Sequence, residues 1–435
     1  LKIWKQTREL AANTPAERNR YVDFLRGFSI LFVISGHWLI TGAFVDPQTG
    51  SYASVLALEI VPWTEWLTWL FQVMPVFFMV GGYANAVSLE SAAAKGVGYG
   101  VWLATRLHRL LAPMLLLVLV WAVIAVLLFA GGVGAETVQF ITQVALLPTW
   151  FLAIYTMIVI LAPPSHAAWR RWGYWSLLAY LALAAATDVA FFGFDWPLPN
   201  WSNYFWVWLA VHHLGFAWRD GRQGGPVALL AVAAAALAAL ALAVVWGPYP
   251  VAMAGSPGEG PSNSLPPKLT LAALGLVQFG VLLALERPMR RLLENPRLWT
   301  ATVLINSMIM TLYLWHMSIL LLLLGAAWLA GGIGLGMEPS SAAWWWVRIP
   351  WVAIPAVLLL PAAIGLSPLE RMPRPAGAAP PPLWRQLPGA ALVGLGISFT
   401  ALFGIDGNPL SPANTGIVAL VLGGAWICGI TFRRN

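Results

Sequence analysis

Charge is scarce in this chain: Asp, Glu, Lys and Arg make up only 9% of its 435 residues, and Cys428 is its single cysteine. Soluble domains carry about 25% charged residues, and this sequence is 60% hydrophobic with a mean hydropathy of +0.75. That balance excludes a water-soluble globular enzyme and implies an integral membrane protein. One cysteine excludes an intrachain disulfide and a cysteine metal site, and leaves the redox compartment open. No internal repeat is visible. There is also no P-loop, GxGxxG turn, GxSxG elbow or spaced metal-ligand set, so no metal is expected and nucleotide-triphosphate chemistry loses ground.

What is present is a series of apolar runs near the ~20 residues that a helix needs to cross the hydrocarbon core, without the alternation of barrel strands. They fall at 22–44, 66–88, 110–131, 142–162, 174–193, 201–218, 226–247, 268–285, 300–326, 344–366, 387–404 and 415–431. The expected fold is an all-α polytopic helical bundle of about ten core helices and about two C-terminal ones. Residues 1–20 read as a cytoplasmic tail, 21–366 as the core, 367–386 as a Pro-rich cytoplasmic linker and 387–435 as the terminal pair. The tail carries Lys2, Lys5, Arg8, Arg18 and Arg20, and no small-residue cleavage site follows the first span, so an uncleaved helix is expected rather than a signal peptide.

Orientation follows from the basic residues. With the N-terminus inside, Lys95, Arg106, Arg109, Arg170, Arg171, Arg219, Arg222, Arg287, Arg290, Arg291, Arg297, Arg371, Arg374, Arg385, Arg433 and Arg434 are all cytoplasmic. Outer segments collect Asp46, Glu59, Glu65, Glu136, Asp195, Glu259, Glu338 and Asp406, and only Lys268 and Arg348 fall against the pattern. The net charge of +7 is therefore a topology signal, and no nucleic-acid partner is expected. The abundance of arginine over lysine, with much alanine, points to a GC-rich bacterial source and a bacterial plasma membrane. Tryptophans in "PWTEWLTW" and "AAWWWVRIPW" suit the headgroup level, where membrane lipids anchor them. "GPYPVAMAGSPGEGPSNSLPPK" (247–268) reads as an outer loop, and the Ala/Leu tract of the seventh span as packing or lipid-facing surface.

Ionisable residues at bilayer depth are costly unless they face protein or water, so they are candidates for function. "RYVDFLRGFSILFVISGHW" places Arg26 and His37 eleven residues apart, on one helix face and roughly 16 Å apart along the axis. Asp23 lies one turn before Arg26 and suits pairing with it. Two readings stay open: a functional line across the membrane, or an arginine snorkelling to headgroups and a histidine bonding a neighbouring helix. In "RLHRLLAP", Arg106 and Arg109 share a face and offer bidentate donors suited to phosphate, though basic residues at a cytoplasmic helix end also serve as topology signals or lipid contacts. In "PVFFMVGGYANA", Gly81 and Gly82 permit close helix approach beside Tyr83 and Asn85. "INSMIMTLYLWHMSIL" puts His316 at roughly the depth of His37, which suggests a shared polar cavity. His108, His166, His212 and His213 have no identifiable carboxylate partner and read as structural.

Together "RYVDFLRGFSILFVISGHW", "PVFFMVGGY", "RLHRLLAP", "PTWFL" and "TLYLWH" resemble, in content and order, the membrane-bound acyltransferase 3 family. The resemblance covers residues 20–366, and its most specific element is the Arg, ten residues, His arrangement filled by Arg26 and His37, supported by the Arg-x-x-Arg of Arg106 and Arg109. Two departures stand out. Gly81, Gly82 and Tyr83 replace the Ser-Gly-aromatic pattern of many members, and the terminal helices lie outside the pattern. With no esterase-like domain after those helices, the membrane core is expected to act alone.

The resemblance implies acyl transfer, with acetyl the family-wide default, from acyl-CoA as donor substrate to a hydroxyl of a cell-envelope glycan, glycolipid or small molecule. Arg26, Arg106 and Arg109 would then hold the CoA phosphates at the cytoplasmic face, with the pantetheine arm reaching toward His37. His37 would act as general base or form a transient acyl-imidazole. Tyr83, Asn85 or His316 would donate to the developing oxyanion. A secondary transporter is the competing expectation, because it too places ionisable residues at mid-membrane. It predicts inverted repeats and intramembrane carboxylates, whereas the sequence offers no repeat and only Asp188 as an obvious candidate. A lipid-binding scaffold would leave the paired motifs unexplained.

Overall fold

A computed structural model describes residues 2–45, 52–255, 260–370, 372, 379–405 and 408–430. Asp46, Glu259, Asp406, Arg371, Arg374, Arg433, Arg434 and the middle of the linker lie outside the described residues. The protein is an all-α polytopic membrane bundle. In chain order its main elements are α1 (Lys2–Ala12), α2 (Arg20–Ile40), strands β1 (Thr41–Val45) and β2 (Tyr52–Leu56), α3 (Met74–Ala94), α4 (Tyr99–Ala130), α5 (Ala135–Leu146), α6 (Thr149–Trp172) and α7 (Tyr174–Phe194). There follow α8 (Asn203–Arg219), α9 (Pro226–Val245), α10 (Leu269–Ala284), α11 (Pro296–Ser307), α12 (Ile309–Leu329), α13 (Ala342–Glu370), α14 (Leu383–Phe403) and α15 (Pro412–Ile427).

Among the described residues nine helices are long and apolar enough to cross a membrane, or ten if α10 is joined across a 55° bend to the helix Glu286–Leu292. Nine or ten of the twelve expected spans meet that measure among the described residues. Each expected run holds a helix, but the run 22–44 leaves the helix at Ile40 and enters β1, and α8 and α15 have only 17 and 16 residues, short of the ~20 that span the hydrocarbon core. The expected span 300–326 is also not one helix. It breaks at Met308 (φ −124°, ψ 16°), immediately after Asn306 and Ser307 turn their side chains back on the chain. The run 142–162 is divided likewise, with α5 ending before Pro148 and α6 beginning after it.

The chain forms two compact units, residues 1–33, 61–91 and 161–309 in the first and residues 34–60, 92–160 and 310–435 in the second. In the first, the N-terminal tail folds into α1 (Lys2–Ala12) and packs on α11. Thr7 and Ala11 are buried, and the Trp299 indole donates to Ala11 O at 3.2 Å and Thr14 Oγ1 at 3.0 Å. Helices α3 and α8 cross so closely that a Cβ on Gly82 would lie 2.0 Å from His212 O, and one on Gly215 would lie 2.1 Å from Met79 O. Close approach is therefore what Gly82 supplies. On α9, Leu229, Ala233, Ala236 and Leu240 form a buried stripe while Val227, Leu230, Leu237 and Leu242 stay exposed. The Ala/Leu tract thus both packs, against α10 through Gly280, and presents an apolar outer face.

In the second unit, β1 and β2 pair as an antiparallel hairpin with Thr41 opposite Leu56. Nothing in the sequence pattern suggested strands here. The terminal helices are built into this unit: Gln139 and Gln143 of α5 donate to Phe403 O at 3.0 Å and Leu402 O at 2.5 Å, and Gln386 of α14 donates to Gly100 O at 2.9 Å. Gly404, at φ +70°, sits where a Cβ would lie 2.4 Å from Gln139 O, so only glycine closes that turn against α5. Helices α14 and α15 pack through Gly389 and Gly424, each against the other's carbonyl oxygen.

Candidate active site

His37 and His316 meet in the second unit. His37 Nδ1 lies 2.8 Å from His316 Nε2, and the rings stack with centroids 5.1 Å apart at 19°. His316 is fully buried and His37 is half-buried. The partners decide the tautomers. His316 Nδ1 lies 2.5 Å from Tyr313 O, and because a carbonyl only accepts, Nδ1 carries the proton. Nε2 of neutral His316 is then an acceptor, so His37 donates through Nδ1. His37 Nε2 is left with its lone pair, the state a general base or nucleophile requires.

Local packing fixes this arrangement. Trp38, next to His37 on α2, donates from its indole to His316 O at 3.2 Å. Tyr313, one turn before His316 on α12, donates its hydroxyl to Pro148 O at 2.9 Å and meets the Phe151 ring edge-on at 5.5 Å. The segments "PTWFL" and "TLYLWH" are therefore in direct contact. Near the start of α12, the buried Glu370 carboxylate accepts from Thr311 Oγ1 at 2.5 Å and from the Trp315 indole at 2.9 Å. Sequence reasoning missed Glu370, and the only signal was an acid at the boundary of a Pro-rich segment. Past His37, Thr41 Oγ1 donates to His37 O at 2.7 Å.

Arg26 belongs to the first unit, on the same helix α2. Its Nε donates to Asn306 Oδ1 at 2.6 Å and its Nη2 lies 3.4 Å from Asp23 Oδ1, which is the pairing expected from their spacing. Asp23 is also held by Arg18, at 2.6 and 3.0 Å. The bond to the acid raises the Arg18 pKa above its ordinary value, so the guanidinium keeps its charge. Asn306 completes the junction by donating to Asp23 O at 2.8 Å and Thr302 O at 2.9 Å.

Arg106 and Arg109 stand three residues apart on α4 in the second unit. Arg106 is half-buried with its guanidinium 5.6 Å from the Trp102 ring centroid, and Arg109 is exposed. Tyr83, in the first unit, packs on Trp218 at 4.8 Å, while Asn85 bonds His212 at 3.1 Å. His166, His212 and His213 surround the Phe216 ring. Among the described residues no three His, Cys, Asp or Glu side chains converge as a metal ion would need.

Residues 19–369 match the profile of the acyltransferase 3 family, described as an acyltransferase domain. The chain belongs to the acyltransferase 3 family. No curated protein and no solved structure matches it. This membrane acyltransferase thus carries a histidine pair inside the matched region, while α14 and α15 lie beyond it although they pack into the second unit.

Proposed function

We propose that the protein transfers an acyl group, acetyl by the family's default, from cytoplasmic acyl-CoA to a hydroxyl of a cell-envelope glycan, glycolipid or small molecule. The observation that carries this reading is the line of contacts from Tyr313 O through His316 to His37, whose tautomers, assigned from the carbonyl acceptor, leave the lone pair of His37 on Nε2. Nε2 takes the proton of the acceptor hydroxyl. The alkoxide attacks the thioester carbonyl, the C–S bond breaks, and the proton passes from His37 to the departing CoA thiolate. His37 thus begins and ends the cycle neutral. Both nitrogens of His316 are already committed, so it orients His37 and has no N–H left for the oxyanion.

Arg26, Arg106 and Arg109 bind the CoA phosphates, a task suited to guanidinium forks. Along α2 the rise from Arg26 to His37 is about 16 Å, comparable to the reach of a pantetheine arm. Tyr83 and Asn85 remain as candidate donors for the oxyanion. The test is transfer of radiolabel from acetyl-CoA into envelope material and water-soluble products, in membranes holding wild type or His37→Ala. Label that appears with wild type and disappears with a normally inserted variant supports the reading. Equal labelling by both removes His37 as the base. No labelling with acetyl-CoA or longer acyl-CoAs, with acceptors present, turns attention to transport.

A further inference from the structure

Arg348 is a buried cation that the mechanism above does not use. It lies near the start of α13 with 5% of its surface exposed. Its Nη1 donates to Thr41 O at 2.7 Å. The guanidinium carbon stands 4.1 Å from the Trp344 ring centroid and 4.4 Å from that of Trp351. Those residues are four before and three after Arg348, so one face of α13 presents two indoles with a guanidinium between them. Nε is buried without any hydrogen-bond partner, and among the described residues no carboxylate lies within ion-pair distance.

This is an incomplete site. A guanidinium removed from water is costly unless an anion and good hydrogen bonds compensate it. Cation–π contacts offset part of that cost, and one carbonyl satisfies one of five N–H donors. The indoles hold the plane of the fork but leave the Nε edge unmatched, and that edge can take two oxygens of a carboxylate or phosphate side by side. Thr41 also bonds back to His37 O, so Arg348 is anchored about one helical turn, ~6 Å of rise, beyond the histidine and away from Arg26.

We infer that Arg348 binds an anionic group, a carboxylate or a phosphate, on the acceptor whose hydroxyl meets His37. This rests on the acyl-transfer reading and deepens it: donor phosphates are bound toward one end of α2, and the acceptor's anion beyond the other. The indoles at Trp344 and Trp351 provide apolar faces beside the anion, as a sugar ring or acyl stem requires.

The test is binding to the full chain in nanodiscs of phosphatidylcholine, which has no net charge to compete, with glucuronate, glucose 1-phosphate and glucose as probes. For wild type, half-saturation by at least one anionic sugar is expected at a concentration at least tenfold lower than for glucose, and which of the two it is distinguishes carboxylate from phosphate. Arg348→Gln should abolish the preference, and Arg348→Lys should retain a weaker one because it keeps charge but loses the fork. Equal binding of all three probes by wild type overturns the inference, as does a preference that survives in Arg348→Gln. Acetyl-CoA binding measured on the same samples reports folding. If the anion preference is present but no acyl-CoA is consumed, the acyl-transfer reading fails and the anion site stands. If transfer proceeds with no anion preference, the anion site alone fails.

Discussion

Asn306 receives Arg26 Nε at 2.6 Å on its oxygen while its amide nitrogen donates to Asp23 O at 2.8 Å, so one side chain ties the guanidinium of α2 to the end of α11. Because Met308 ends α11 directly afterwards, the break in the expected span is where a side chain is needed to hold Arg26. If Arg26 binds phosphate, Arg26→Ala should raise KM for acyl-CoA by about 10–100-fold, the equivalent of the ~1.5–3 kcal/mol of a charged hydrogen bond, with kcat little changed. Asn306→Leu should move KM in the same direction by less, since the arginine remains but loses its aim. Steady-state kinetics with varied acyl-CoA decides this, and a fall in kcat at constant KM in both variants would reject the assignment.

The histidine pair makes a different prediction. His37→Ala should lower kcat by roughly 10²–10⁴-fold, the usual span for a positioned base, with KM for acyl-CoA nearly unchanged. His316→Ala removes the acceptor that holds His37 in its tautomer and should lower kcat as well, by an order of magnitude or more. The double variant should be little worse than His37→Ala alone, because residues that act as one unit are not additive. Multiplied losses in the double variant would mean that His316 has its own separate role.

Those residues also mark how far the sequence could be read. Among the described residues, hydropathy alone located every helix long and apolar enough to cross a membrane, because burial in lipid demands long apolar runs. Spacing on α2 anticipated the Asp23–Arg26 pair, and counting from helix starts anticipated that His37 and His316 share a depth, since helical rise is constant. The break at Met308 was not legible, because Asn306 acquires its meaning only from Asp23 and Arg26 far away in sequence. Glu370 and Arg348 were hidden for the same reason. Each looked like a residue at a span boundary, and their partners Thr311, Trp315 and Thr41 are set by tertiary packing. The hairpin β1–β2 was missed because residues 41–56 follow an apolar helix and lack a tight two-residue turn signal.

The glycines of the α3–α8 crossing give a stability prediction. A Cβ on Gly82 would stand 2.0 Å from His212 O, an immovable backbone atom, so Gly82→Ala must push the helices apart. Overpacking of this kind costs about 1–3 kcal/mol or more, and lower thermal stability in detergent is expected. Gly365→Ala on α13 meets nothing within 4 Å and should be neutral or stabilising by up to ~1 kcal/mol, from helix propensity alone. A Gly82→Ala protein as stable as wild type would show that the crossing has slack.

Lys268 supplies the pH dependence. Its ammonium donates to Asn200 Oδ1 and lies 4.1 Å from the Phe191 ring centroid, while Asp188 is occupied by Asn200, Asn203, Tyr249 and the Leu269 amide. Burial pushes the Lys268 pKa down to about 8, against the opposing pull of Asp188. In the unfolded chain the same lysine titrates near ~10.4. Between these values the unfolded state binds more protons than the folded one, so stability must rise as pH rises from about 8 toward 10. Below that window the folded protein carries the full cost of a buried ammonium. Lys268→Met removes the titrating group, so its thermal midpoint should lack this rise while every other group titrates as before. The comparison is made as a difference between the two proteins at each pH, and a wild-type profile parallel to that of Lys268→Met across pH 8–10 would show that Lys268 keeps an ordinary pKa despite its burial.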